Sequence, residues 1–174
     1  FLASKGYDMA CSLMEADLLD TAKEVLHRAE AQNCKIHLPA DGQAAREFKQ
    51  GAPSRTIFNE GLAEDEMMLD IGPRAIADYS AVIASAKCVL WNGPMGAFEI
   101  PPFDFGTTAL ANSVAQATVA GDLVSIAGGG DTVAALNHAG CADAFSYVSL
   151  AGGAFLEWIE GRELPGIAIL DGHT

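Results

Sequence analysis

Ile126-Ala127-Gly128-Gly129-Gly130-Asp131-Thr132 is the stretch whose reading decides the fold. The apolar run 123–127 reads as a buried strand, and residues 132–139, closed by Gly140, read as a short helix. Three successive glycines between a strand and a helix let backbone amides turn inward around an anion, with the positive end of the helix dipole behind them. Asp131 then stands where a magnesium ion bridging nucleotide phosphates needs a carboxylate. A plain N-cap role competes for Asp131 and Thr132, and the two readings are compatible, because a capping carboxylate keeps a second oxygen for a metal. The chain has no Gly-x-x-x-x-Gly-Lys-Ser/Thr loop, and Val133 breaks a Gly-x-Gly-x-x-Gly dinucleotide fingerprint.

Working outward, two more loops share this setting. Leu90-Trp91-Asn92-Gly93-Pro94-Met95-Gly96-Ala97-Phe98-Glu99 leaves the apolar run 88–91, and Leu150-Ala151-Gly152-Gly153 leaves the run 145–149. In open α/β sheets ligands bind beyond the carboxyl ends of the strands, so the three loops are expected to converge. Glu99 could accept hydrogen bonds from a ribose diol, or be a solvated loop carboxylate. Asn92 is a turn residue unless its loop folds over a ligand. Gly152 and Gly153 could turn amides toward a phosphate, or serve close helix packing.

The remaining periodicities place these loops in an alternating chain. Leu110, Val114 and Ala117 predict a helix ending at Gly121, and residues 154–160 predict another stopped by Gly161. Pro73 suits the first position of a helix whose buried face is Ile76, Tyr79, Ile83 and Ala86. Upstream, Ser12 and Glu15 have capping-box spacing ahead of a helix over 13–32, and residues 35–38 read as a strand stopped by Pro39. Residues 1–6 read as the last turn of a helix closed by Gly6, so the chain is expected to begin inside a larger protein. Between 40 and 66 polar, glycine and proline residues interrupt every period, with short strands expected at 56–58 and then 68–71. The alternation predicts one α/β domain: a three-layer parallel sheet with helices on both faces, Rossmann-like.

Composition narrows the function. Half of the 174 residues are hydrophobic, enough for a sizeable core. Ten Lys and Arg against 23 Asp and Glu give a net charge of -13, which argues against nucleic acid and anionic membrane as partners. Phosphate must therefore be met mostly by backbone amides and a metal. Cys11, Cys34, Cys88 and Cys141 are too scattered for a zinc site and read as reduced, buried thiols. His27, His37, His138 and His173 lack ligand spacing, and no Gly-x-Ser-x-Gly supports a serine hydrolase. No run reaches the length of a membrane helix, and a cytoplasmic location is expected.

Leu69-Asp70-Ile71-Gly72-Pro73, Trp91-Asn92-Gly93-Pro94, Phe98-Glu99, Gly128-Gly129-Gly130-Asp131-Thr132 and Leu164-Pro165-Gly166 resemble, in order and spacing, the motifs of the phosphoglycerate kinase family. The resemblance covers nearly the whole chain and corresponds to the later part of that family's C-terminal, nucleotide-binding domain. It implies reversible phosphoryl transfer between 1,3-bisphosphoglycerate and MgADP, giving 3-phosphoglycerate and MgATP in glycolysis, by an enzyme that is usually monomeric. It further implies that Asp131 ligates Mg2+, that Thr132 and the glycine amides of 128–130 hold ATP or ADP phosphates, and that Glu99 binds the ribose. Asn92 and Pro94 would line the nucleotide cleft, and Gly152 and Gly153 would offer amides to the migrating phosphoryl group.

Two departures accompany the match. Leu150-Ala151 stands where the family carries Thr and Gly, and Gly42 follows Asp41 where an apolar residue is expected. The family's basic N-terminal domain, and the opening strands of its nucleotide domain with their phosphate-contacting lysine, are expected to lie outside these residues, so the chain alone is expected to turn over negligibly, with residues after Gly161 frayed. A non-catalytic Mg-nucleotide-binding module, or an inactive remnant of the fold, is the alternative.

Overall fold

The computed structural model describes residues 1–58, 61–149, 153–154, 157 and 160–164. Among the described residues the chain runs through α1 (Leu19–Ala31), β1 (Asp41–Ala45), β2 (Ser54–Phe58), β3 (Met67–Ile71), α2 (Pro73–Ser85), β4 (Cys88–Asn92), α3 (Phe105–Val119), β5 (Val124–Gly128), α4 (Gly130–His138) and β6 (Tyr147–Ser149). The chain forms two compact units, Phe1–Val82 with Met95–Leu110, and Ile83–Pro94 with Ala111–Thr174.

The second unit carries the expected parallel sheet, in the order β4-β5-β6. Its strands match the apolar runs read from the sequence to within two residues. On one face Trp91 meets Phe145 edge-on at 6.2 Å, and Ala127, Leu136 and Val114 are buried. The alternate residues Leu90, Val124 and Tyr147 are about half exposed. Leu90, Ile126 and Tyr147 are register neighbours, so that opposite face presents an apolar stripe to solvent.

The first unit departs from the alternation. Its sheet, in the order β2-β1-β3, is antiparallel throughout, not part of a parallel sheet. Only residues 46–53 separate β1 from β2, too few for the crossover of a dozen or more residues that parallel pairing needs. The strand expected at 35–38 is irregular; the central position between β2 and β3 is taken by Asp41–Ala45 instead. Gly, Gln and Ala there have weak strand preference, and their pairing on both sides, with four of five residues buried, supplies what propensity does not. Ala45, Ala52 and Phe103 form the core of this unit, packed by Leu69, Ala97 and Ile100.

The first helix is also shorter than expected. A 3-10 turn at Ala16–Leu18 leads into α1 at Leu19. Ser12 does not cap it, because its Oγ accepts the amide of Met68 at 3.0 Å and anchors this segment to β3. At the start of the chain Gly6 closes a 3-10 turn, Ala3–Lys5, as its positive φ of 92° allows. Arg55 on β2 forks onto Glu66, with Nε to Oε1 at 2.9 Å and Nη2 to Oε2 at 2.6 Å. The guanidinium, helped by the amide of Ala63, holds the Glu66 carboxyl down at about 2.

All four cysteines are free thiols, as expected, but Cys11, Cys34 and Cys88 are exposed and only Cys141 is buried. Among the described residues no helix is long and apolar enough to cross a membrane, and no cluster of three or more His, Cys, Asp or Glu could hold a metal ion.

A buried carboxylate starts α2. Asp41 is 2% exposed, and its Oδ2 and Oδ1 accept the amides of Arg74 (2.9 Å) and Ala75 (2.7 Å) in the first turn of the helix. Gly72, just before Pro73, has no side chain to cap with, so β1 supplies the cap from across the unit. Asp41→Ala is expected to lower stability by about 2 kcal/mol, because two buried amides lose their acceptor. Urea unfolding checks this; a loss below about 0.5 kcal/mol would mean that water replaces the carboxylate.

Candidate functional site

The parallel sheet ends in register. Asn92 pairs with Gly128, and Gly128 with Ser149, so β4, β5 and β6 all stop at one edge. The loops that follow β4 and β5 therefore leave from the same side of the second unit, the side where open α/β sheets bind ligands.

Local hydrogen bonds join the first two loops. The amide of Gly93 donates to Oγ1 of Thr132 at 2.7 Å, and the indole Nε1 of Trp91 donates to the carbonyl of Gly93 at 2.6 Å. Thr132 is 1% exposed, so this bond is sheltered from water. Gly129 is the N-cap of α4, with φ 104° and ψ 141°. L side chains rarely adopt that φ, and a Cβ at this position would stand 3.0 Å from Oδ1 of Asn92 and 3.3 Å from Oγ1 of Thr132. The glycine is thus needed both for its backbone angle and for the close approach of Asn92.

This arrangement decides the capping question. No side chain caps α4, so neither Asp131 nor Thr132 is an N-cap; they are the second and third residues of the helix. The first intrahelical bond runs from Val133 N to Gly129 O at 2.9 Å. The amides of Gly130, Asp131 and Thr132 therefore precede the helical ladder, at the positive end of the dipole. The Asp131 side chain is exposed in that first turn. An exposed carboxylate at this helix start has the donor chemistry for Mg2+, which takes one or two protein carboxylates and completes its octahedron with phosphate oxygens and water.

The other candidates fall as follows. Asn92 and Pro94 belong to the second unit with the glycine loop, Asn92 exposed and Pro94 half-buried. Gly153 is exposed and helical, while Gly152, Leu150 and Ala151 lie outside the described residues. So do most of the helix expected at 154–160 and the residues from 165 on, including the last match in Leu164-Pro165-Gly166.

Glu99 belongs to the first unit. It is exposed on a tightly pinned loop. Met95 N donates to Oγ1 of Thr107 at 3.0 Å, Ala97 N to the carbonyl of Leu69 at 2.8 Å, and Ile100 N to the carbonyl of Ala97 at 2.9 Å. Phe98, just before Glu99, is buried.

Asp70 organises this loop and was not singled out by sequence reading. It is 2% exposed, with Oδ1 accepting its neighbour Ile71 N at 2.8 Å and Oδ2 accepting Gly106 N at 2.7 Å in the first turn of α3. The signal was present in the sequence, since a carboxylate inside the apolar strand Met67–Ile71 is costly unless hydrogen-bonded. Burial pushes the Asp70 carboxyl up to about 6, against the pull of its two amide donors and with a further push from Asp104.

The fold and the loop define an α/β protein with a glycine loop and a helix start without a side-chain cap at the carboxyl edge of a parallel sheet. A family model described as phosphoglycerate kinase matches residues 1–162, and the chain belongs to that family. The phosphoglycerate kinase of Cereibacter sphaeroides is 58% identical over 170 residues, and that of Zymomonas mobilis 57% over 171; the chain is covered to 98% and spans 43% of each relative. The solved phosphoglycerate kinase of Coxiella burnetii superposes with a TM-score of 0.91 at 42% identity, over 97% of this chain and 43% of that one. The enzyme from Pyrococcus horikoshii, 24% identical, shares the fold with a TM-score of 0.71.

The raised Asp70 carboxyl gives a pH dependence of defined sign. Its folded value of about 6 exceeds the ordinary 3.8, so the folded chain binds this proton more tightly than the unfolded chain. That contribution is full below the unfolded value and is lost as pH rises through about 6. The urea midpoint is expected to fall across this window and to fall less in Asp70→Asn. The carboxyl-carbon NMR titration of Asp70 checks it directly; a midpoint at or below the ordinary value would show that the amide bonds offset burial.

Proposed function

We propose that this chain carries the nucleotide-phosphate machinery of a phosphoglycerate kinase, acting with further segments of the longer protein that its relatives represent. The reaction is reversible phosphoryl transfer between 1,3-bisphosphoglycerate and MgADP, giving 3-phosphoglycerate and MgATP, as a step of glycolysis in the cytoplasm. The observation that carries this reading is the N-terminus of α4, where three amides ahead of the helical ladder and the exposed Asp131 carboxylate share one turn. Asp131 would hold Mg2+, which supplies positive charge to nucleotide phosphate oxygens. The amides of Gly130, Asp131 and Thr132 would hold phosphate oxygens directly, and Glu99 would accept hydrogen bonds from the ribose. Gly152 and Gly153 are assigned to the transferred phosphoryl group on the family resemblance.

Phosphoryl transfer asks little covalent chemistry of the protein and much positioning, so fixed amides and one metal-bound carboxylate are the parts it requires. The net charge of -13 supports the same reading, because an acidic chain must meet phosphate with dipoles and metal instead of side-chain cations. The half-exposed apolar stripe Leu90, Val124 and Tyr147 supports the involvement of further chain, since parallel sheets are covered on both faces. Calorimetric titration with MgADP tests the proposal. Binding is expected, weakened on the order of tenfold or more, about 1.4 kcal/mol, in Asp131→Ala. Equal affinity in the variant would remove Asp131 from the site, and no heat from a folded chain would overturn nucleotide binding by these residues.

A further inference from the structure

Three contacts pin residues 95–97. Met95 N is held by Oγ1 of Thr107, in the first turn of α3, and Ala97 N by the carbonyl of Leu69 on β3. Between them Gly96 lies against Asp70; a Cβ there would stand 2.6 Å from the Leu69 carbonyl oxygen and 2.7 Å from the Asp70 carboxyl carbon. Asp70 also holds the start of α3 through Gly106 N at 2.7 Å. One buried carboxylate thus fixes both surfaces, strand and helix turn, on which the loop is seated.

The loop then turns sharply. Phe98 N donates back to the carbonyl of Gly96 at 2.8 Å, and Ile100 N to that of Ala97 at 2.9 Å. Phe98 is buried on one side of Glu99, and Ile100 packs on the core of the unit on the other. The Glu99 backbone therefore takes its position from the strap two residues earlier, while its side chain remains in solvent.

We infer that Asp70 is a positioning residue for nucleotide recognition: by seating Gly96 and the first turn of α3, it sets where the Glu99 carboxylate meets a ribose diol. The inference rests on the reading of Glu99 as the ribose acceptor. Asn at position 70 would keep the volume but offer one acceptor oxygen where two amides now bind, turning an NH2 group toward a backbone N–H. Ala at position 96 would push the loop off its seat by crowding the Asp70 carboxylate and the Leu69 carbonyl, with residue 70 itself unchanged.

The test compares ADP with 2′,3′-dideoxy-ADP, each with magnesium, in the chain and in Asp70→Asn, Gly96→Ala and Glu99→Gln. Magnesium pyrophosphate serves as a probe of the phosphate loop alone. The unsubstituted chain is expected to prefer ADP by about tenfold, the worth of a hydrogen bond to a charged group. All three variants should bring that ratio close to one, with pyrophosphate affinity unchanged within about twofold. A general loss of structure would lower pyrophosphate binding together with both nucleotides, and would overturn the positioning role if it occurred in both Asp70→Asn and Gly96→Ala. A ratio that Glu99→Gln abolishes but Asp70→Asn and Gly96→Ala leave intact would overturn the strap alone. Equal binding of both nucleotides by the unsubstituted chain, with Glu99→Gln silent, would overturn the ribose reading and this inference with it.

Discussion

Every α-helix begins with amides that its own ladder cannot satisfy, and this constraint organises the molecule. α2 begins on the Asp41 carboxylate and α3 on that of Asp70, each supplied by a strand and each nearly inaccessible to water. α1 is led in by a 3-10 turn. α4 follows a strand directly through a glycine N-cap, with no side-chain cap. Where β1 and β3 supply carboxylates to the starts of α2 and α3, no side chain is supplied to the start of α4. A phosphate group has the charge and the acceptors that such an end favours.

The same economy appears in the polar bonds around the glycine loop. Thr132 does not cap its helix, because its hydroxyl is engaged with the amide of Gly93, and that bond ties the turn after β4 to the start of α4. With Trp91 holding the carbonyl of the same glycine, residues 91–93 and 129–132 form one hydrogen-bonded group beyond the in-register ends of β4 and β5. A preorganised group of this kind suits a reaction whose rate depends on placement and on charge stabilisation, since its dipoles need not reorient as charge develops.

How much was legible depended on whether the physical cause was local. Strands β4 and β5, helices α3 and α4 and the glycine loop could be read from the sequence because apolar periodicity and strand-to-helix punctuation act over a few residues. Capping-box spacing at Ser12 and Glu15 is equally local, yet it misled, because Ser12 had a better partner 56 positions away in Met68. The antiparallel sheet was hidden for a related reason. β1 reads Asp-Gly-Gln-Ala-Ala, with almost no strand signal, and is a strand because it has neighbours on both edges.

By itself the sequence determined the family, the α/β class, the glycine loop ahead of α4 and the acidic balance of the chain. Those properties follow from residue type and short-range order. Only the tertiary structure decided what the buried polar atoms do: that Asp41 and Asp70 serve the starts of helices, that Gly96 is small because a carboxylate lies against it, and that Thr132 binds a neighbouring loop in place of its own helix. A buried donor or acceptor must find a partner, and which partner it finds depends on residues brought near by folding, not on those beside it in the chain.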